Sequence, residues 1–413
     1  MEGIVTNKTT TSSTWLQNRC RQLVFSILNK LDGGALRIIE GDTHVDFGKQ
    51  NPHRYNEALE GVIEIHDPSA YPKFVRGGSI GAAEAFIAGL WSSPDLTKVI
   101  RIFARAQSQT DQLEKKMAWV SRIKNKLFHR RNRNSHQGSK QNILAHYDLG
   151  NELYSRFLDP SMMYSSAIFA HPEMDLAQAQ QHKLKQICQR LELTAGEHLI
   201  EIGTGWGSLA VYAAQHYDVH VTTTTISEEQ YRYAEQQIKS LGLEDKITLL
   251  KKDYRDLTGQ YDKLVSIEMI EAVGYEYMDN FFSQCNQLLK PGGKMLIQAI
   301  TIADQRFDYY LNNVDFIQRY IFPGGFLPSL ELMSKKLKEK TDMVLHQLDD
   351  FGLDYAKTLR CWRMRFLASW QELLKFGYDE RFKNLWLYYL CYCEGAFLER
   401  STSTVHFVAR KAR

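Results

Sequence analysis

The chain has 413 residues, of which 44 % are apolar and 24 % charged, and a formal net charge of only +3. That composition excludes a disordered or fibrous polymer, and the length gives room for two or three domains with a large buried core. Nowhere do 18 unbroken apolar residues occur, which argues against an ordinary spanning helix. Acidic Glu2 and the lack of an apolar leader argue against a signal peptide, so the expected location is cytoplasmic, with any membrane contact peripheral and on the inner face.

Residues 1–14 are rich in Thr and Ser and read as a disordered tail. Residues 15–120 read as a small α+β domain for lipid binding or dimerisation. Its strands are expected at Leu36–Glu40 and Val62–His66 and a helix at 80–90, punctuated by Gly33-Gly34, Asp67-Pro68 and Gly77-Gly78. Residues 121–140 form a basic linker with seven Lys or Arg and no acid. Such a run is either a solvated face or a surface for anionic lipid. It lacks the aromatic interleaving of a nucleic-acid site, so no nucleic-acid partner is expected.

Residues 141–413 read as one catalytic domain. A helix fits 173–191, and strands near 198–202, 219–224, 247–250, 263–267 and 294–299 alternate with helices near 207–217, 228–241 and 276–290. That rhythm makes an α/β fold with a mostly parallel sheet, covered on both faces, whose ligands bind outside the carboxyl ends of the strands. Residues 304–340 are helices and loops inserted before last strands near 341–347 and 404–409. The aromatic segment 358–400 is mostly helical and is expected to cap the crevice. The six cysteines are far apart, with no disulfide framework, and the Cys391/Cys393 pair has no second pair to complete a metal site.

The chemistry concentrates at Glu201-Ile202-Gly203-Thr204-Gly205-Trp206-Gly207. An apolar strand ends in an acid, and three glycines at alternate positions let backbone approach a bulky ligand before a helix opens. By itself the turn suits a dinucleotide or merely a tight strand–helix junction. A dinucleotide would want an acid about 20 residues on for the ribose, but the second strand ends in Thr222-Thr223-Thr224-Thr225. Thr225 and Gln230 offer hydrogen bonds to a ribose or adenine edge, and Asp253-Tyr254 offers an acceptor and a ring. Together these give a class I S-adenosylmethionine fold, Rossmann-like, with helical lid insertions.

The ordered set His146-Tyr147-Asp148-Leu149-Gly150-Asn151, Met163-Tyr164-Ser165-Ser166, the glycine turn, Thr225-Ile226-Ser227-Glu228-Glu229-Gln230, Asp253-Tyr254-Arg255-Asp256-Leu257, Glu271-Ala272-Val273-Gly274, Tyr320-Ile321-Phe322-Pro323-Gly324-Gly325 and Tyr355-Ala356-Lys357-Thr358-Leu359 resembles the cyclopropane-fatty-acyl-phospholipid synthases. The resemblance runs from about residue 140 to the C-terminus. It implies transfer of the methyl carbon of S-adenosylmethionine to a cis double bond of an unsaturated phospholipid acyl chain, with bicarbonate in the site as base. It also implies a homodimer, and the basic residues at 122–133 are expected to meet an anionic membrane surface. The cofactor-lining residues it implies are Tyr164, Ser165, Gly203, Gly205, Thr225, Ile226 and Gln230, beside Glu201, Gly207, Asp253 and Tyr254. The bicarbonate ligands fall on Ser166, Glu271, Gln298, Tyr355 and Cys393. Ser166 replaces a cysteine whose backbone serves, so the change is small. Gln298 replaces a histidine and loses its capacity for charge while keeping a donor and an acceptor. That departure resembles a sub-branch making methyl-branched or furan-containing fatty acids, and leaves methyl branching as the alternative product. The rivals, a small-molecule N- or O-methyltransferase, a binding protein with a decayed site and an NAD-dependent oxidoreductase, would need a polar acceptor pocket, lost site residues or a ribose acid.

Overall fold

The computed structural model describes residues 14–106 and 150–413. The expected tail up to residue 13, the basic stretch 121–140 and the motif residues His146 to Leu149 lie outside them. The described residues divide into two compact units, 14–106 with 379–388, and 150–378 with 389–413. Sequence reasoning placed 379–388 in the catalytic domain; its aromatic residues instead belong with the first unit, for example Tyr388 against Phe86 at 5.6 Å.

The first unit holds a four-stranded sheet of order β2-β1-β3-β4, made of β1 (Ala35–Glu40), β2 (Thr43–Phe47), β3 (Glu60–Ile65) and β4 (Trp91–Ser92). Gly77-Gly78 separates two helical pieces, as expected. Within the run from Ala70 to Ile87, Gly78 leaves the helical region at φ +54° and kinks one helix against the next.

The second unit is built on β5 (His198–Ile202), β6 (His220–Thr224), β7 (Ile247–Leu250), β8 (Tyr261–Ile267), β9 (Leu289–Ile302), β10 (Met343–Asp350) and β11 (Thr402–Lys411). Their order is β10-β11-β9-β8-β5-β6-β7, and β11 alone runs against its neighbours. The central strands are largely buried on both sides, as a doubly covered sheet requires. One face packs Leu184, Ile187, Leu209, Ala213 and Ile238 on the sheet, and the other packs Phe281, Phe282, Met295, Met333 and Phe407. The polypeptide leaves β5 toward β6 and β7 and returns on the other side as β8. This reversal opens a crevice at the strands' carboxyl ends. The segments 203–207, 225–230, 253–254 and 268–271 all start where a strand stops there, so one sheet edge gathers the sequence motifs.

Candidate active site

The glycine turn after β5 has the conformation its composition asks for. Gly203, Gly205 and Gly207 have φ of +101°, +53° and +94°, values open to glycine at little cost. A Cβ at Gly203 would meet the Met269 side chain at 3.2 Å, whereas one at Gly205 would meet nothing within 4 Å, so the turn borders open space. Thr225 Oγ1 donates to Gln230 Oε1 at 2.9 Å, and Ser227 caps the helix Glu228–Ser240. The loop after β6 is thereby fixed before any ligand arrives, with Ile226 half-buried at its tip. Tyr164 and Ser165 approach from a segment strapped to the helix Leu176–Leu191. Gln180 donates to the Ser165 carbonyl at 3.0 Å, and buried Lys183 donates to Ser165 Oγ at 2.7 Å. Burial lowers the Lys183 ammonium to about 8.

Two residues expected to face a cofactor are committed elsewhere. Glu201 is buried in the sheet and accepts from Thr223 Oγ1 at 2.6 Å; burial raises its carboxyl to about 8. Asp253 caps its own turn and holds Arg255 through both carboxylate oxygens, at 2.8 and 2.6 Å. Tyr254 packs edge-on against Phe281 at 5.6 Å.

The candidate reaction centre holds a residue that sequence reasoning passed over. Glu268, at the end of β8, accepts from the backbone N–H of Ser166 at 2.9 Å and from Gln298 Nε2 at 2.8 Å, both on Oε1, and from Tyr355 Oη at 2.8 Å on Oε2. Three of the five expected ligands thus converge on this one carboxylate. Ser166 does so through its backbone, because its hydroxyl donates to the Ala167 carbonyl. Glu271 lies beside the group and accepts from the Ile300 N–H at 2.5 Å, while its Oε2 is buried without a partner. Cys393 hydrogen-bonds none of these; it lies close enough to Tyr355 to raise the phenol, and burial pushes its own thiol up.

The two acids differ in protonation. Burial raises both, but Ser166, Lys183, Gln298 and Tyr355 oppose that rise at Glu268. Glu271 has mainly the Ile300 N–H, feels the charge of Glu268, and is pushed up to about 8. Of the two, Glu268 is therefore the one whose ionised form is better supported and Glu271 the one that holds its proton more readily.

Behind Gln298 a buried relay settles the amide's orientation. Gln298 on β9 faces His406 on β11 in register, and both are fully buried. The Arg190 guanidinium can only donate, so His406 Nδ1 accepts from it. His406 Nε2 then donates to Gln298 Oε1 at 2.9 Å, which turns the amide N–H toward Glu268. Burial, followed by the charge of Arg190, keeps the imidazole neutral. Aromatic rings cluster on the Tyr355 side: Trp362 at 6.0 Å and Phe397 at 4.5 Å from Tyr355, Tyr164 at 5.3 Å from Trp362, and Tyr389 hydroxyl-to-hydroxyl with Tyr164 at 2.7 Å.

A signal for Glu268 was present in the sequence. An acid directly follows an apolar strand and stands three residues before Glu271, at the edge where ligands bind. Lys183 was a second signal, a lysine on the apolar face of a helix. Nothing local pointed to His406, which meets Gln298 through strand register, or to Arg190, which reaches His406 from the helix Leu176–Leu191.

A family model described as "Mycolic acid cyclopropane synthetase" matches residues 134–407. The tuberculostearic acid methyltransferase UfaA1 of Mycobacterium tuberculosis is 38 % identical over 81 % of this chain and 79 % of its own length. The cyclopropane-fatty-acyl-phospholipid synthase of Escherichia coli is also 38 % identical, over 84 % of this chain and 86 % of its own. Among solved structures, mycolic acid cyclopropane synthase CmaA1, complexed with SAH and CTAB, is similar at TM-score 0.62 and 28 % identity, covering 66 % of this chain and 98 % of that one. With the family model matching residues 134–407 and 38 % identity over 84 % of the chain, the chain belongs to the mycolic acid cyclopropane synthetase family of S-adenosylmethionine-dependent methyltransferases.

Proposed function

We propose that the protein transfers the methyl carbon of S-adenosylmethionine to a cis double bond of an unsaturated phospholipid acyl chain and closes a cyclopropane ring. The observation that carries this is a buried carboxylate held by three donors next to a wall of aromatic rings, at the carboxyl edge of the sheet. S-adenosylmethionine supplies a methyl on a cationic sulfonium, electrophilic enough for an unactivated alkene. The open space at Gly205 and the preset Thr225–Gln230 loop suit its amino-acid and ribose parts, with Tyr164, Ser165 and Ile226 completing the wall. Attack by the alkene leaves a cation on the acyl tail. The rings of Tyr355, Trp362, Tyr164 and Tyr389 exclude water and present electron-rich faces to that cation. Loss of a proton from the new methyl group then closes the ring.

A second product follows if the proton leaves a neighbouring carbon of the acyl tail, giving a methyl-branched alkene. The observation favouring it is Gln298 at the histidine position, and the equal identity to a tuberculostearic acid methyltransferase is consistent with it. In this reading the substrate is reached at the membrane. No helix among the described residues is long and apolar enough to cross a bilayer. Residues 15–120 then serve lipid contact or homodimerisation, and 121–140 meet anionic headgroups.

Incubation with vesicles of mono-unsaturated phosphatidylglycerol and methyl-labelled S-adenosylmethionine tests the function. Label in the acyl fraction with cyclopropane proton resonances is expected. Vinylic resonances with label establish branching instead, and an unlabelled acyl fraction refutes both products.

A further inference from the structure

The resemblance places a free bicarbonate among Ser166, Gln298 and Tyr355. The structure does not fit one there. The Ser166 N–H, the Gln298 amide and the Tyr355 hydroxyl already end on the carboxylate of Glu268. Glu271, the remaining acidic ligand, holds the Ile300 N–H instead. A second anion would enter beside a like charge, with three of its five expected ligands already taken.

Glu268 also sits where a side chain is hard to accommodate. Its φ is +47°, in the left-handed region that glycine adopts freely and other residues rarely do. Strain of this kind at a strand end persists because the surroundings enforce it, and it points to a role for the side chain. Here the surroundings are the three donors, the Glu268 N–H bonded to the Gln298 carbonyl at 2.8 Å, and the nearby charge of Lys183. With two donors on Oε1 and one on Oε2, a lone pair on Oε2 stays available on the Tyr355 side, where the aromatic wall stands.

We propose that Glu268 is the catalytic base, a carboxylate built into the protein in place of free bicarbonate. The inference rests on the acyl-alkene reading above and names the proton acceptor for either product. Methyl transfer breaks the sulfur–methyl bond, leaving a neutral thioether, and forms a carbon–carbon bond, leaving the acyl tail one electron pair short. A C–H bond then breaks. Its electrons close the ring or form a new double bond, and its proton goes to Glu268, which passes it to water when the product leaves. No oxidant or further reactant is needed.

Three forms of the whole protein test this in buffer freed of carbon dioxide. The unmodified protein is expected to turn over equally with and without 10 mM added bicarbonate (about a hundredfold span being the scale of a lost base). Glu268→Gln, which keeps the shape but cannot take a proton, is expected to lose at least about 100-fold in kcat with S-adenosylmethionine affinity unchanged. Glu268→Gly suits the backbone and vacates the space between the three donors. It is expected to be inactive alone and to regain turnover when bicarbonate is added. The inference is overturned if the unmodified protein loses turnover on removal of bicarbonate and recovers with it. It is also overturned if Glu268→Gln keeps more than about a tenth of the parental kcat, or if both variants lose cofactor binding in parallel with turnover. An unmodified protein that labels no acyl group refutes the function itself, a result distinct from bicarbonate-dependent labelling.

Discussion

Replacing His406 by leucine isolates the orientation of the Gln298 amide. The imidazole is fully buried, packs 4.8 Å from the Phe351 ring, and touches Glu268 only through Gln298. Leucine fills the volume but leaves Gln298 Oε1 without its donor, freeing the amide to turn that oxygen toward Glu268. The 2.8 Å bond at stake ends on a charged acceptor, and such bonds are worth about 1.5–3 kcal/mol. At 1.36 kcal/mol per decade this predicts a loss of about 10- to 150-fold in kcat with KM little changed. The sign of the pH effect follows. Gln298 stabilises the ionised form of Glu268, so its loss raises that pKa, and the acidic limb of the kcat profile moves up by about one to two pH units. The other groups facing Glu268, Lys183, Glu271 and Tyr355, are the same in both proteins and cancel. Steady-state kinetics from pH 5 to 9 supplies the profile, and His406→Gln, which restores a donor, should recover much of it. A leucine variant with a lower Tm but an unmoved acidic limb would refute the relay and leave His406 a packing residue.

Tyr355→Phe removes one donor from Glu268 while its ring keeps Phe397 at 4.5 Å; kcat should fall about 10- to 100-fold at nearly constant Tm by calorimetry. Glu271→Gln mimics the protonated acid. Because the folded carboxyl is raised to about 8, the native state gives up stability as pH rises from the ordinary carboxylate range toward that value. The variant's Tm should therefore gain on the parent's progressively over that interval, and a constant difference would contradict a neutral Glu271. Gly203→Ala places a methyl 3.2 Å from Met269 at φ +101°, so S-adenosylmethionine affinity by isothermal titration should fall at least about tenfold.

Sequence reasoning reached the sheet almost strand by strand because short runs rich in β-branched and apolar residues alternate with helical segments between turn residues. It also reached the convergence of Ser166, Gln298 and Tyr355, which the resemblance supplied. It missed what these residues converge on. Glu268 follows the apolar run of β8 and looks like any strand-terminal acid until its left-handed backbone and three donors are seen. Glu201 misled in the opposite direction: an acid before a glycine turn reads as a ligand, yet Thr223 across the parallel pair takes it into the sheet. His406 and Arg190 lie more than 100 residues from Gln298; the β9–β11 register brings in His406, and the helix Leu176–Leu191 brings Arg190 to His406.

A tethered base constrains the product in a way a free one does not. A bicarbonate ion can shift within its cavity, whereas the Glu268 carboxyl is fixed at three points and its backbone carries about 1–3 kcal/mol of strain, which the charged-acceptor bonds, at about 1.5–3 kcal/mol each, more than offset. The position of Oε2 relative to the cation is then set by how far the acyl tail enters the aromatic wall. When the new methyl group faces Oε2 a ring closes. When the tail is displaced by one carbon, about 1.3 Å along an extended hydrocarbon and well over the roughly 0.5 Å tolerance of a positioned catalytic group, a C–H bond of the tail itself faces Oε2 instead. A series of phosphatidylglycerols with the cis bond moved stepwise should therefore switch between cyclopropane and methyl-branched products at a defined position, read by mass spectrometry and proton resonance. A product ratio that stays constant along the series would mean that the proton acceptor moves with the cation, and a base held at one point on β8 would no longer account for the reaction.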